Sequence, residues 1–150
     1  MDLILWRHAE AVDGYPDHDR KLTSKGLQQA ALMSDFLSSR LPSHSRILVS
    51  PALRAQQTAS ALTKKFTTEP ALDTNTTPQA VLTACGWPSS NINTILVGHQ
   101  PWLGQVAALL MTGKPDYWSV KKGSIWWFSH RERDDDASTI LRLVISPEHL

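Results

Sequence analysis

Leu3-Ile4-Leu5-Trp6-Arg7-His8 is the stretch that decides the fold: four consecutive apolar residues run straight into an arginine and a histidine. An uninterrupted apolar run of this length is expected of a strand covered on both faces, as in the parallel sheet of an α/β domain. Two further runs share the pattern. Ile47-Leu48-Val49 leads into Ser50-Pro51, and Thr94-Ile95-Leu96-Val97 into Gly98-His99.

Helical patterns fill the intervals. Residues 13–22 are polar, carry Gly14 and Pro16, and read as a loop. Thr23 or Ser24 can cap a helix with Leu27, Ala30, Ala31 and Leu37 at helical spacing, Met33 and Phe36 beside them, and Pro42 closing the segment. After Pro51 a second helix places Ala55, Thr58, Ala59, Leu62 and Phe66 on one face. Glu69-Pro70-Ala71-Leu72 reads as a short extended piece. Thr77-Pro78 reads as the start of a helix ending near Gly86. Pro101 begins another, carrying Leu103, Val106, Ala107 and Leu110 and stopped by Gly113 and Pro115. Residues 124–128 and 140–145 are strand-like and joined by a charged loop over 130–138, with Asp134-Asp135-Asp136 at a solvent-facing tip. They are expected as antiparallel additions at the sheet edge. The expected fold is α/β: a three-layer α/β/α sandwich whose central sheet is mostly parallel with an antiparallel edge.

Composition narrows the function classes. The chain has 150 residues, with 41% hydrophobic and 19% charged, which fits one domain over 1–150 and excludes disorder as the dominant state. A net charge of +1 is no footprint for a nucleic-acid binder. No apolar run approaches the ~18 residues of a membrane span, and the N-terminal run is too short for a signal-peptide core. Cys85 is the one cysteine, so a disulfide framework and a cysteine-based zinc site are excluded. The expectation is a cytoplasmic monomer that engages neither membrane nor nucleic acid.

Arg7-His8, Arg54 and Gly98-His99 each lie just after a buried strand. Open α/β sheets bind ligands at the carboxyl ends of their strands, so chain order alone gathers Arg7, His8, Arg54 and His99 at one edge. A lone histidine there is ordinarily a polar loop residue. Two arginines and two histidines together are costly unless an anion with several oxygens sits among them. Pro51 and Pro101 stand near helix starts, whose N-termini favour anions.

Four segments carry a resemblance. Leu5-Trp6-Arg7-His8-Ala9-Glu10-Ala11 resembles the Arg-His motif of the histidine phosphatase superfamily, with its phosphoglycerate mutase-like fold. Arg20-Lys21-Leu22-Thr23-Ser24-Lys25-Gly26, then Val49-Ser50-Pro51-Ala52-Leu53-Arg54-Ala55-Gln56-Gln57-Thr58, then Val97-Gly98-His99-Gln100-Pro101 resemble its later segments in the same order. The short chain and the Arg-His-Ala form resemble the SixA-like phosphohistidine phosphatases. The resemblance implies His8 as the nucleophile, with Arg7, Arg54 and a protonated His99 holding phosphoryl oxygens and Arg20 pointing toward the pocket. It implies no cofactor and no metal, with phosphate as product and a phosphorylated protein, such as a phosphotransfer-type domain, or a small phosphorylated molecule as substrate.

The physical chemistry agrees. A neutral imidazole attacks phosphorus to give a covalent intermediate, and arginine offers a planar fork to phosphate. The alternatives are a small-molecule phosphomonoesterase and a non-catalytic phosphoprotein-binding module, against which the intact His8 argues. No general acid stands out. Gln100 follows His99 where the acid-phosphatase branch has an acidic residue, and Glu10, Asp13, Asp17 and Asp19 are candidates only by nearness in sequence. Lys121-Lys122, Lys64-Lys65 and the remaining histidines, His18 included, read as solvated polar residues. Trp102 reads as core.

Overall fold

The structure is a computed structural model describing residues 1–150. Six strands form one sheet in the order β3-β2-β4-β1-β5-β6. The strands are β1 (Asp2–Arg7), β2 (Arg46–Val49), β3 (Thr67–Thr68), β4 (Thr94–Gly98), β5 (Ile125–Arg133) and β6 (Asp136–Ile145). β4 pairs in parallel with both β1 and β2, and β3 in parallel with β2. β5 and β6 run antiparallel beside β1, as the sequence predicts for the last third.

Pleating sorts the apolar runs between two cores. Leu3, Leu5, Leu48 and Leu96 face one side. There they pack on Val81 and Cys85 of α3 (Pro78–Cys85) and on Trp102, Leu103 and Val106 of α4 (Trp102–Thr112). Ile4, Trp6, Ile47, Val49, Ile95 and Val97 face the other, against Met33 and Leu37 of α1 (Ser24–Ser38) and Ala55 and Ala59 of α2 (Leu53–Leu62). Because successive side chains alternate across a strand, every residue of these runs is buried. The result is the α/β/α sandwich that continuous apolar strands imply. No helix is long and apolar enough to cross a membrane.

Four local expectations are corrected. Leu27 is 53% exposed. The buried face of α1 is Gly26, Ala30, Met33, Ser34 and Leu37, so the stripe is rotated from the one hydrophobicity suggests. α2 stops at Leu62, and Phe66 packs against the same core from beyond its end. The extended pairing near residue 69 falls instead on Thr67–Thr68, while Pro70–Leu72 forms a 3-10 turn. The charged segment 130–138 is mostly strand. Asp134 and Asp135, at φ 46° and 70°, make a two-residue turn of the kind that matches strand twist, so the ladder continues into solvent, with His130 Nδ1 3.2 Å from Thr139 Oγ1 across it.

α1 also docks onto the loop that follows β1. Thr23 caps the helix by accepting from the Gly26 N–H, while its own N–H donates to the Glu10 carbonyl at 3.0 Å. A Cβ on Gly26 would lie 2.0 Å from that carbonyl oxygen. Only glycine allows this approach, and the segment after His8 is thereby anchored to a whole helix.

Candidate active site

β1 delivers Arg7 and His8, and β4 delivers His99. Both strands end at the same edge because their parallel register pairs Arg7 with Gly98. The His8 N–H donates to the Gly98 carbonyl, and the His8 carbonyl accepts from the Gly123 N–H, both at 3.0 Å. Gly98 must be small: a Cβ there would lie 2.0 Å from the Trp102 indole, which packs beneath it. Trp102 is wholly buried, as the core reading expects.

The two imidazole rings lie with centroids 5.2 Å apart. Nδ1 of His8 sits 2.8 Å from the Ala9 carbonyl oxygen. A carbonyl only accepts, so we assign the proton to Nδ1 and the lone pair to Nε2. Nε2 of His99 sits 2.6 Å from Ser50 Oγ. That hydroxyl already accepts the Ala52 N–H, and its own proton finds its acceptor in Nε2. We therefore place the His99 proton on Nδ1. One imidazole is thus set up as a nucleophile and the other as a donor.

Arg54 occupies the first turn of α2 and is 4% exposed. Its guanidinium donates to the backbone carbonyl of Asp17 at 2.9 Å and to Asp17 Oδ2 at 3.1 Å. Arg7 donates to the Val120 carbonyl at 2.7 Å. Nε of Arg7, Nε of Arg54 and Nδ1 of His99 remain buried with no partner; the other two such side-chain nitrogens belong to Trp102 and His130. Unpaired buried donors are expensive. Three of them lie on the residues gathered at one sheet edge, a donor set whose chemistry suits an anion with several oxygens.

Electrostatics carry the same message. Burial lowers the His8 pKa to about 3, opposed by the Ala9 carbonyl and reinforced by His99, Arg54 and Arg7. Burial, then Arg54, lowers His99 to about 4, despite Asp73 and Asp17. Burial and the Arg54 charge also lower Arg7. With no anion beside it, His99 is held neutral at pH 7 by that lowered pKa, its Nδ1–H left without an acceptor. A positive charge on it requires an anion beside it.

Arg20 uses Nε and Nη1 within the 12–20 loop. It donates to the Val12 carbonyl at 2.7 Å and to Asp17 Oδ1 at 3.1 Å, reaching Arg54 only through Asp17. Asp17 is the one loop carboxylate tied to the site. Burial pushes its pKa up, the hydrogen bonds from Arg20 and Arg54 outweigh that, and the net shift is downward, which keeps it an anion rather than an acid. Glu10 accepts from Thr23 Oγ1 at 2.8 Å, and Asp13 and Asp19 are exposed.

The sequence reading missed the supporting residues. Thr58 Oγ1 accepts the Ala9 N–H and donates to the Arg54 carbonyl, joining the nucleophile loop to α2. Gln57 accepts the Leu22 N–H, and Gln100 bridges the Trp118 carbonyl and the Gly104 N–H. His18 pairs with Asp73 at 2.7 Å, next to the Asp17–Arg54 contact. Membership in the quoted segments was the available signal for Ser50, Gln57, Thr58 and Gln100; nothing local marked His18 or Asp73.

A stability measurement checks the pocket. Unfolded imidazoles take up protons near 6.5, whereas those of His8 and His99 hold out to about 3 and 4. The unfolded state therefore binds more protons over this interval, and stability falls as pH drops from 6.5 toward 4.5. The slope is at most about 1.4 kcal/mol per pH unit for each ring. Denaturant titrations without phosphate should show it, and His8→Ala should reduce it. Equal slopes in the two proteins would contradict the described burial.

Comparison with known proteins places the chain. Residues 3–76 match the model of the histidine phosphatase superfamily, branch 1. An uncharacterized protein of Picosynechococcus sp. is 32% identical over 136 residues, covering 83% of this chain and 82% of that protein. The phosphohistidine phosphatase SixA of Escherichia coli is 39% identical over 59 residues, 39% of this chain and 37% of that one. The protein histidine phosphatase SixA solved in complex with tungstate superposes with a TM-score of 0.82 over 99% of both chains, at 24% identity.

Proposed function

This chain belongs to the histidine phosphatase superfamily, within its SixA-like branch, and from that premise we propose that it hydrolyses phosphohistidine on a protein through a phosphoryl intermediate on His8. The observation that carries the reading is the set of buried, partnerless nitrogens on Arg7, Arg54 and His99 beside an imidazole whose Nε2 keeps its lone pair.

His8 Nε2 attacks phosphorus, and a new P–N bond forms as the bond to the leaving nitrogen breaks. The departing imidazole keeps the bonding pair and takes a proton at its other nitrogen from solvent. Arg7 and Arg54 face the phosphoryl oxygens, and His99 donates through Nδ1–H. These donors are fixed before the reaction begins, the arrangement that makes electrostatic stabilisation effective. Water then attacks the phosphorus as the P–Nε2 bond breaks; Nε2 regains its lone pair, Nδ1 keeps its proton, and phosphate departs with the water's oxygen and protons. In this reading the positive charge at the phosphoryl group comes from side chains. The donor set and the activity printed for the SixA relative, a phosphohistidine phosphatase, support a phosphoramidate substrate; the phosphotransfer-type partner is part of the proposal.

The test is direct. A phosphohistidine-bearing phosphotransfer domain is mixed with the protein and quenched within one turnover. The expected result is an acid-labile phosphoryl group on the peptide containing His8, with competitive inhibition by tungstate or vanadate. Turnover with the label on another residue would reject His8. No turnover of the phosphorylated domain would reject the substrate assignment.

A further inference from the structure

A cleft shares Arg7 with the pocket, and its charge is one-sided. It holds about 500 Å³ and is walled by the start of α1, the 121–122 turn and the C-terminal segment 146–148, with Arg7 in its lining. Arg7, Lys25, Lys121 and Lys122 line it, against the single carboxylate of Glu148. The whole chain carries only +1, so this concentration of cations is local. The sequence reading took Lys121 and Lys122 for solvated charge. The fold brings them together because the turn that carries Lys121 and Lys122 also grips the site: Gly123 binds His8, and Val120 binds Arg7.

We propose that this groove receives an acidic segment flanking the phosphorylated residue of the protein substrate, a role that rests on the function proposed above. Lys121 already holds a carboxylate, that of Glu148 at 2.8 Å, with both side chains more than half exposed. Exposed pairs of this kind are weak, so an incoming carboxylate replaces Glu148 readily, while Lys25 and Lys122 form no ion pair within the chain and stand free for others. Four of the ten lining residues are cationic and one is anionic, so charge of one sign is what the cleft offers a partner. An open, cationic cleft suits the electrostatic rim of a protein complex, where complementary charge sets on-rate and partner choice. Arg7 joins the two sites, so an acidic flank in the groove has its phosphoryl group at the pocket.

The test uses the full chain, the double variant Lys25→Glu/Lys122→Glu and three substrates at low salt. Two are phosphohistidine peptides, one flanked by three glutamates and one by three serines; the third is p-nitrophenyl phosphate. Wild type is expected to favour the glutamate peptide by roughly tenfold in kcat/KM, through KM, with the preference lost at high salt. The double variant should abolish or invert it and change p-nitrophenyl phosphate turnover less than twofold. No preference in wild type, or an equal loss on all three substrates, would overturn the groove. If neither peptide is hydrolysed, the phosphohistidine reading fails instead. The groove is then judged by binding of a phosphate-free glutamate peptide, which wild type must hold at least tenfold more tightly than the double variant.

Discussion

His8→Ala is expected to lose about 10⁴-fold or more in kcat/KM, the scale on which removal of a covalent nucleophile acts, while remaining folded. The environment explains both halves. His8 contributes one side-chain hydrogen bond, from Nδ1 to the adjacent Ala9 carbonyl. The backbone contacts that hold the loop, from Gly98, Gly123 and Thr58, survive truncation. The imidazole also sits unprotonated among Arg7, Arg54 and His99, so its removal relieves no charge and breaks no ion pair. The measurements are steady-state kinetics and thermal unfolding followed by circular dichroism. A folded variant within tenfold of wild type would remove His8 as nucleophile. Arg54 offers a contrast, since its loss would also free the 17–19 turn.

The second large effect concerns the leaving group. A positioned acid contributes about 10²–10⁴-fold by protonating a departing oxygen, and an alkyl oxygen needs that proton because its conjugate acid is about as weak as water, near 15.7. Imidazole leaves after protonation at a nitrogen that titrates around 6.5, which solvent supplies. The structure gives none of the nearby carboxylates that task. Glu10 is tied to the α1 cap, and Asp17 is kept ionised by two arginines. Phosphoramidates should therefore exceed alkyl phosphates by about 10²–10⁴ in kcat/KM, with p-nitrophenyl phosphate between. A sugar phosphate hydrolysed as fast as phosphohistidine would reveal an acid. The small-molecule phosphomonoesterase reading would then lead, and Glu10 and the His18–Asp73 pair would be the first groups to substitute.

The strand-end residues were legible because two simple facts converge there. Continuous apolar runs mark strands buried on both faces, and the residues following them must emerge at one edge. That logic places Arg7, His8 and His99, and with one more turn Arg54. It says nothing of side-chain direction. Arg20 and Asp17 lie in a polar loop whose course is set by the pairing of Ala11 with Leu22 and the grip of Gln57, neither of which has a local pattern. Ser50 and Thr58 look like ordinary small polar residues until their partners are seen. β3 consists of two exposed threonines, and its pairing to β2 depends on the tertiary fold rather than on apolar content. Lys25 and Lys122 are far apart in the chain, so a shared groove could not be read from either.

Strand order has a consequence for the growing chain. The sheet neighbours of β1 are β4 and β5, and neither exists until the ribosome has passed residues 94–98 and 125–133. At roughly 5–20 residues per second, Leu3-Ile4-Leu5-Trp6 waits on the order of 10 s without a native partner. Through that interval the nascent polypeptide displays a bare apolar strand, the kind of segment that chaperones shield and that associates with its copies on neighbouring ribosomes. His8 and His99 meet only after β4 docks, so no early fragment assembles the pair. Loss of the last two strands would leave one side of β1 unpaired, making a truncated message a source of aggregation rather than of residual enzyme.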